Sequence, residues 1–238
     1  MLRSIETFLI GGTLFFAFPG AALASLAATG YTGMISTPTP QVMQHQLLAV
    51  SFSWVDGMQT YLHTPMTNRL FVVTTGLLPG LEATLRFTQV VGMIDPEAPG
   101  VAYNTDRLFS AKYQIPLPHG WPLMAIGMQD IASANQLAGF QMVPGSSQYG
   151  QSTVYGVIGG TAGKWGWHLG LGRSQAFING AFVGTSYRIP GNIDLMAEYD
   201  SRHMNWGIRV SPTDALWIQA AKLGSATWAL NTGFVFQL

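Results

Sequence analysis

The chain has no cysteine among its 238 residues. That removes any disulfide framework and any thiolate chemistry, redox or metal-binding. Charge is almost as scarce. Eleven Lys and Arg balance eleven Asp and Glu, 9% of the chain with zero net charge, where a soluble domain usually carries about 25%. Without a basic excess, nothing points to nucleic acid. Long apolar runs are also missing beyond the first twenty residues. No later stretch approaches the ~18 consecutive apolar residues that a transmembrane helix requires. What the chain has instead is 28 Gly and 12% aromatics, including seven Trp and eight Tyr, which favour membrane interfaces.

The first residues read as a secretory signal peptide. Arg3 is the positive start, Phe8 to Phe18 is apolar, and Ala22-Leu23-Ala24 is a small-residue cleavage site. The expected division is a signal peptide over 1–24, an N-terminal periplasmic or plug segment over 25–46, and a transmembrane barrel over 47–238. An exported chain without helical spans is either soluble or a barrel. Twenty-two charges could hardly cover a soluble surface of this size, whereas lipid asks for an apolar one.

Period-2 alternation supports that choice. Leu48, Val50, Phe52 and Trp54 oppose Ala49, Ser51 and Ser53. Leu81, Ala83, Leu85 and Phe87 oppose Glu82, Thr84, Arg86 and Thr88. Trp165, Trp167, Leu169 and Leu171 oppose Gly166, His168 and Gly170. Ile193, Leu195, Ala197 and Tyr199 oppose Asp194, Met196 and Glu198, and Met204, Trp206, Ile208 and Val210 oppose Asn205, Gly207 and Arg209. The second set in each case is small or polar, which suits a narrow lumen.

The pattern predicts an all-β, antiparallel transmembrane barrel of about 12 strands, with 10 to 14 compatible with the weaker segments, in the outer membrane of a Gram-negative-type envelope. In such a barrel the backbone radius is about 12 Å, so the lumen is narrow or filled. Turn signals stand at Pro79-Gly80, Pro190-Gly191, Ser211-Pro212 and Gly224-Ser225. The stretches 56–67, 92–106 and 132–149 read as long outer loops, with an irregular insertion at 139–150. Trp228, Leu230, Thr232, Phe234, Phe236 and Leu238 share one face of a final strand. This resembles the terminal sorting signal of outer-membrane barrels, with Leu in place of the usual Phe.

Several segments together resemble a known family. They are Gly33-Met34-Ile35-Ser36-Thr37-Pro38-Thr39, then Pro79, Leu81, Glu82 and Arg86, then Asp106 to Tyr113 (DRLFSAKY), and Leu123 to Asp130 (LMAIGMQD). Further on stand Leu169-Gly170-Leu171-Gly172 and Ala197-Glu198-Tyr199-Asp200-Ser201. In order and spacing they resemble the YjbH family of outer-membrane proteins linked to exopolysaccharide production, from about Gly30 to Lys222. The resemblance implies a non-enzymatic barrel acting in exopolysaccharide biosynthesis or export, with outer-membrane lipid, polysaccharide and periplasmic export components as its partners. A small porin-like channel for solutes is the alternative.

Catalytic signals are sparse. His45, His63, His119, His168 and His203 are isolated, with no zinc-protease spacing and no G-x-S-x-G elbow. No cofactor or metal is expected. The inward charges Glu82, Arg86, Lys112, Lys164, Arg188, Asp194, Glu198 and Arg209, together with His168, are expected to form a polar network in the lumen, since unpaired charge there is costly. Trp165, Trp167 and Trp206 read as a lipid-facing belt, and Tyr103 and Tyr149 as candidates for ligand contact on the outer loops. The register predicts that Leu169→Arg is destabilising and that Gly170→Ser, on the opposite face, is better tolerated.

Overall fold

The computed structural model describes residues 25–28, 30–59, 65–91, 105–131, 153–174, 178–225 and 227–238. The expected signal peptide, the insertion at 139–150 and the two loop tyrosines, Tyr103 and Tyr149, lie outside the described residues.

Twelve antiparallel strands form one closed ring. In chain order they are β1 (Leu47–Gln59), β2 (Pro65–Leu78), β3 (Leu81–Val91), β4 (Thr105–Ile115), β5 (Leu123–Gln129), β6 (Thr153–Ala162), β7 (Trp165–Arg173), β8 (Gly180–Ile189), β9 (Ile193–Tyr199), β10 (Met204–Thr213), β11 (Leu216–Leu223) and β12 (Thr227–Gln237). Each strand pairs with its sequence neighbours, and β1 closes on β12 from Leu47↔Gln237 to Asp56↔Trp228. Closure leaves no unpaired edge, the condition for a sheet to stand in lipid.

The faces are those that alternation predicts. Leu169, Leu171 and Trp206 point outward at 49%, 67% and 58% exposure, with Phe52, Phe71, Leu195, Leu230 and Phe236 around them. The fully buried side chains include Lys112, His168, Gln219, Glu82, Glu198 and Asn205. This inverts the arrangement of a soluble domain, where large apolar side chains are inside and charges outside. An apolar wall around a polar interior is the architecture of a transmembrane barrel, and the protein is an outer-membrane β-barrel. Six of the tryptophans, among them Trp165, Trp167 and Trp206, face outward, and Trp217 alone is turned into the lumen at 3% exposure.

The connections after even-numbered strands are short: 79–80, 116–122, 163–164, 190–192 and 214–215. Those after odd-numbered strands include 92–104 and 130–152. The asymmetry places the short turns, the start of β1 and the end of β12 at one mouth, which in such barrels is the periplasmic one.

Two local expectations are corrected. Ser211-Pro212 is not a turn. Both residues belong to β10, at a register shift between Val210 and Thr213, where a residue without an N–H is tolerated, and the chain turns at 214–215. Several inner-face glycines make room for a ring on the neighbouring strand. Gly127 faces Tyr155, Gly170 faces Phe182, Gly184 faces His168 and Gly233 faces Trp217 directly across a ladder. In each pair the ring occupies the space that a Cβ on the glycine would need. Gly170→Ser is therefore not the mild change that face assignment alone predicts.

Candidate functional site

Residues 25–46 precede β1, and the described ones form no strand ladder, only isolated bridges such as Leu26↔Thr32 and Gly33↔Pro38. Their polar backbone groups must then be satisfied elsewhere. The inner wall supplies the partners, and it does so from nearly every side of the ring, so the segment lies inside the lumen.

Glu198 on β9 is the main anchor. Its carboxylate accepts from three consecutive backbone amides, Ile35 N (3.0 Å), Ser36 N (2.7 Å) and Thr37 N (3.3 Å). It also accepts from Ser36 Oγ (2.5 Å), Thr37 Oγ1 (2.8 Å) and Asn205 Nδ2 (3.0 Å). Six donors thus converge on one carboxylate whose residue is 1% exposed.

Glu82 on β3 is the second anchor. It accepts from Thr32 N (3.1 Å), Thr32 Oγ1 (2.6 Å) and Met43 N (2.8 Å). Its cross-strand neighbour Lys112 on β4 stands 3.7 Å from it. Lys112 Nζ donates to Thr32 O (2.7 Å), Thr39 O (3.2 Å) and Thr32 Oγ1. Opposite, Arg209 on β10 donates to Met34 O (2.5 Å), Gly33 O (3.2 Å), Gln219 Oε1 (2.9 Å from Nε) and Ser25 Oγ.

In a ring of twelve, β3 and β9 are six places apart, as are β4 and β10. The pair Glu82/Lys112 thus faces Glu198/Arg209 across the lumen, with the segment held between them. On each side the acid takes backbone N–H groups and the base takes carbonyls. Apolar contacts fill the rest. Ala28, Met34 and Ile35 pack with Val55, Leu70, Met196, Ala221 and Ala229, and Leu26 and Met43 pack with Val72, Trp217 and Val235.

The other expected network members are placed as follows. Arg86 is inward and buried, at 4% exposure. Asp194 is inward and bonded to Arg188 (2.7 and 2.8 Å), whose side chain stands 53% exposed at the short-turn mouth. Lys164 is a correction. It sits in the β6–β7 turn and is exposed, because the alternation read back from Trp165 runs past the strand's end.

His168 is buried at 1%, its Nε2 2.8 Å from Thr37 Oγ1. The pair has the look of a hydroxyl and its base. The third member of a relay would hold the far ring nitrogen, yet Glu198 bonds the hydroxyl instead, and among the described residues His168 Nδ1 has no hydrogen-bond partner. Among the described residues no three His, Asp or Glu side chains gather into a metal-binding group.

A cavity of about 220 Å³ opens beside the segment at the short-turn end, bounded by the ends of β6 to β12. Sequence reasoning identified the inward charges but not their partners. The signal was present, because the stretch 33–39 and the positions Glu82, Lys112 and Glu198 all belong to the segments that carry the family resemblance.

Solved structures similar to the chain are outer-membrane barrels. An outer membrane channel from Pseudomonas putida F1 is 10% identical, with 85% of this chain and 100% of that one covered and a TM-score of 0.46. Outer membrane phospholipase A from Escherichia coli is 8% identical, with coverage of 91% and 97% and a TM-score of 0.48. The outer membrane protein Omp33 from Acinetobacter baumannii is 11% identical, with coverage of 82% and 99% and a TM-score of 0.36. At such identities nothing of what those proteins bind or catalyse passes to this one. No curated protein matches the chain. The model of the YjbH family, described as exopolysaccharide biosynthesis protein, matches residues 25–147. That stretch takes in the lumen segment and β1 to β5, more than half of the chain, and the protein belongs to the YjbH exopolysaccharide biosynthesis family.

Proposed function

We propose that the protein acts without catalysis in exopolysaccharide biosynthesis or export at the outer membrane, as a barrel kept shut by its own segment 25–46. The observation that carries this reading is the occupied lumen. Glu82, Lys112, Glu198 and Arg209 are all engaged in holding one short stretch of chain across it. Charges committed in this way are unavailable as general acid or base, which favours a non-enzymatic role. Family membership supplies the link to polysaccharide. On this reading residues 1–24 are removed on export, the outer face meets lipid, and polysaccharide and periplasmic export components meet the barrel at its short-turn mouth.

The test is the polysaccharide secreted by a strain lacking the gene and by its complemented control. Loss that complementation restores is the expected result, and unchanged secretion overturns the proposal. The alternative reading, a small solute channel, needs an open lumen. The purified wild-type protein in a planar bilayer should be silent, and stable single-channel steps would favour the channel instead.

A further inference from the structure

The lipid-facing wall carries charge at one end only. Among the described side chains of the strands, the charged ones that point outward are Asp56 on β1, Arg69 on β2, Arg173 on β7 and Lys222 on β11. Odd-numbered strands run toward the long loops and even-numbered ones run away from them, so all four stand in the half of the wall nearer those loops. Three of the four are cations, and none of the ion pairs among the described residues includes Arg69, Arg173 or Lys222. Toward the short turns the described strand residues present no outward charge, and Lys164 lies beyond the wall in its turn.

Long basic side chains snorkel to water equally well at either edge of a bilayer. Snorkelling therefore does not account for a one-sided placement. What differs between the two edges is the leaflet. The outward leaflet of a Gram-negative-type outer membrane is glycolipid with phosphate on its sugars. Unpaired cations at that level complement its charge.

Lys222 has the most elaborate setting of the three. Across the β10–β11 and β11–β12 ladders it stands directly between Trp206 and Trp228. Its Nζ is 4.7 Å from the Trp228 ring centroid, within cation–π range. Both indoles lie on the lipid face, 58% and 59% exposed, and amphipathic rings of this kind mark the membrane interface. The β9–β10 loop brings Arg202 and His203 to the same end, with the His203 ring beside Gly224 just past the end of β11. Two acids stand in this region and both are engaged. Asp200 accepts from the amides of Arg202 (3.0 Å) and His203 (2.7 Å). Asp56, across the β1–β12 ladder from Trp228, accepts from Thr67 Oγ1 (2.7 Å).

We propose that Lys222, with Trp206 and Trp228, forms a docking site for a phosphorylated glycolipid of the outer leaflet. The ammonium meets the phosphate, and the two indoles pack against the first methylenes of the acyl chains. Arg202 stands on the headgroup side. The inference rests on the outer-membrane fold and is independent of the exopolysaccharide reading.

The test is native mass spectrometry of the purified protein, released from detergent micelles with added lipid. The probes are phosphorylated lipid A, the same lipid after phosphatase treatment, and phosphatidylglycerol. The wild type should retain phosphorylated lipid A at least about fivefold better than the dephosphorylated form, the effect of one basic side chain at an anionic lipid surface. It should also prefer phosphorylated lipid A to phosphatidylglycerol. Lys222→Met should abolish the preference for phosphate, Trp228→Leu should weaken it, and Lys222→Arg should keep it.

Equal retention of the two forms of lipid A by the wild type overturns the site, and that comparison needs no variant to fold. An unchanged preference in Lys222→Met, with the gel mobility of a folded barrel, overturns it as well. Phosphatidylglycerol held as tightly as phosphorylated lipid A does the same, since any anionic headgroup would then serve.

Discussion

Phe182 lies across the β7–β8 ladder from Gly170, its ring filling the space where a Cβ of Gly170 would stand. The neighbouring backbone oxygen of Gly156 would be 2.6 Å from that same Cβ. Gly170→Ser should therefore destabilise the barrel by about 1–3 kcal/mol through overpacking. Leu169→Arg, one residue away on the lipid face, should cost roughly 2–4 kcal/mol near the midplane for a different reason. Urea unfolding in lipid vesicles measures both. Adding Phe182→Ala should recover part of the Gly170→Ser loss and none of the Leu169→Arg loss. Identical responses would mean that the ring is not where the structure puts it.

The two glutamate anchors are expected to act together. Glu82→Gln with Glu198→Gln removes both negative charges that hold the segment while keeping side-chain shape. In planar bilayers the double variant should show transient openings, and a chain lacking residues 25–46 should show stable steps. If the chain without the segment is silent, the lumen is blocked by something other than these contacts.

Lys112 and Glu82 are each 1% exposed at the side chain. Lys112→Met leaves a buried carboxylate without its cation and two segment carbonyls without a donor, a loss of about 3–5 kcal/mol. Adding Glu82→Gln should return at least about 1 kcal/mol, since the charge left alone is then gone. Denaturant titration of the two single variants and the double completes the cycle. Strict additivity would remove the coupling.

Closure of the ring can be read chemically, because the chain has no cysteine of its own. Val55 and Ala229 are partners across the β1–β12 seam, both buried on the inner face. Paired antiparallel Cα atoms are about 4.5–5.5 Å apart, within disulfide range. The Val55→Cys/Ala229→Cys protein should cross-link on mild oxidation and change its mobility on a denaturing gel. Val55→Cys/Leu230→Cys, whose side chains point to opposite faces, should not. Equal cross-linking would place the seam in a different register.

Much of this fold is legible in the sequence because a strand carries its two faces in alternate letters. The outward positions of Trp165, Trp167, Leu169 and Leu171 follow from spacing alone, as do the inward positions of Glu82, His168 and Glu198. Alternation says nothing about where a strand stops, which is why Lys164 in its turn was counted with the lumen. Nor does it report depth, so it could not show that Gly170 is crowded. The grip of Glu198 on residues 35–37 was out of reach for another reason. It joins positions 161 to 163 apart, and no periodicity relates them. Pro212 misled because proline marks turns and bulges alike.

The bond from Asn231 Nδ2 to Leu26 O, 2.9 Å long, spans 205 positions. It sits beside the seam where β12 meets β1, so the strand that closes the ring also secures one of the earliest residues of the described chain. Contacts of such separation form late and slowly. A sheet without β12 would lack both its closing pair and the Asn231 donor for Leu26 O, and one pairing event supplies the two together.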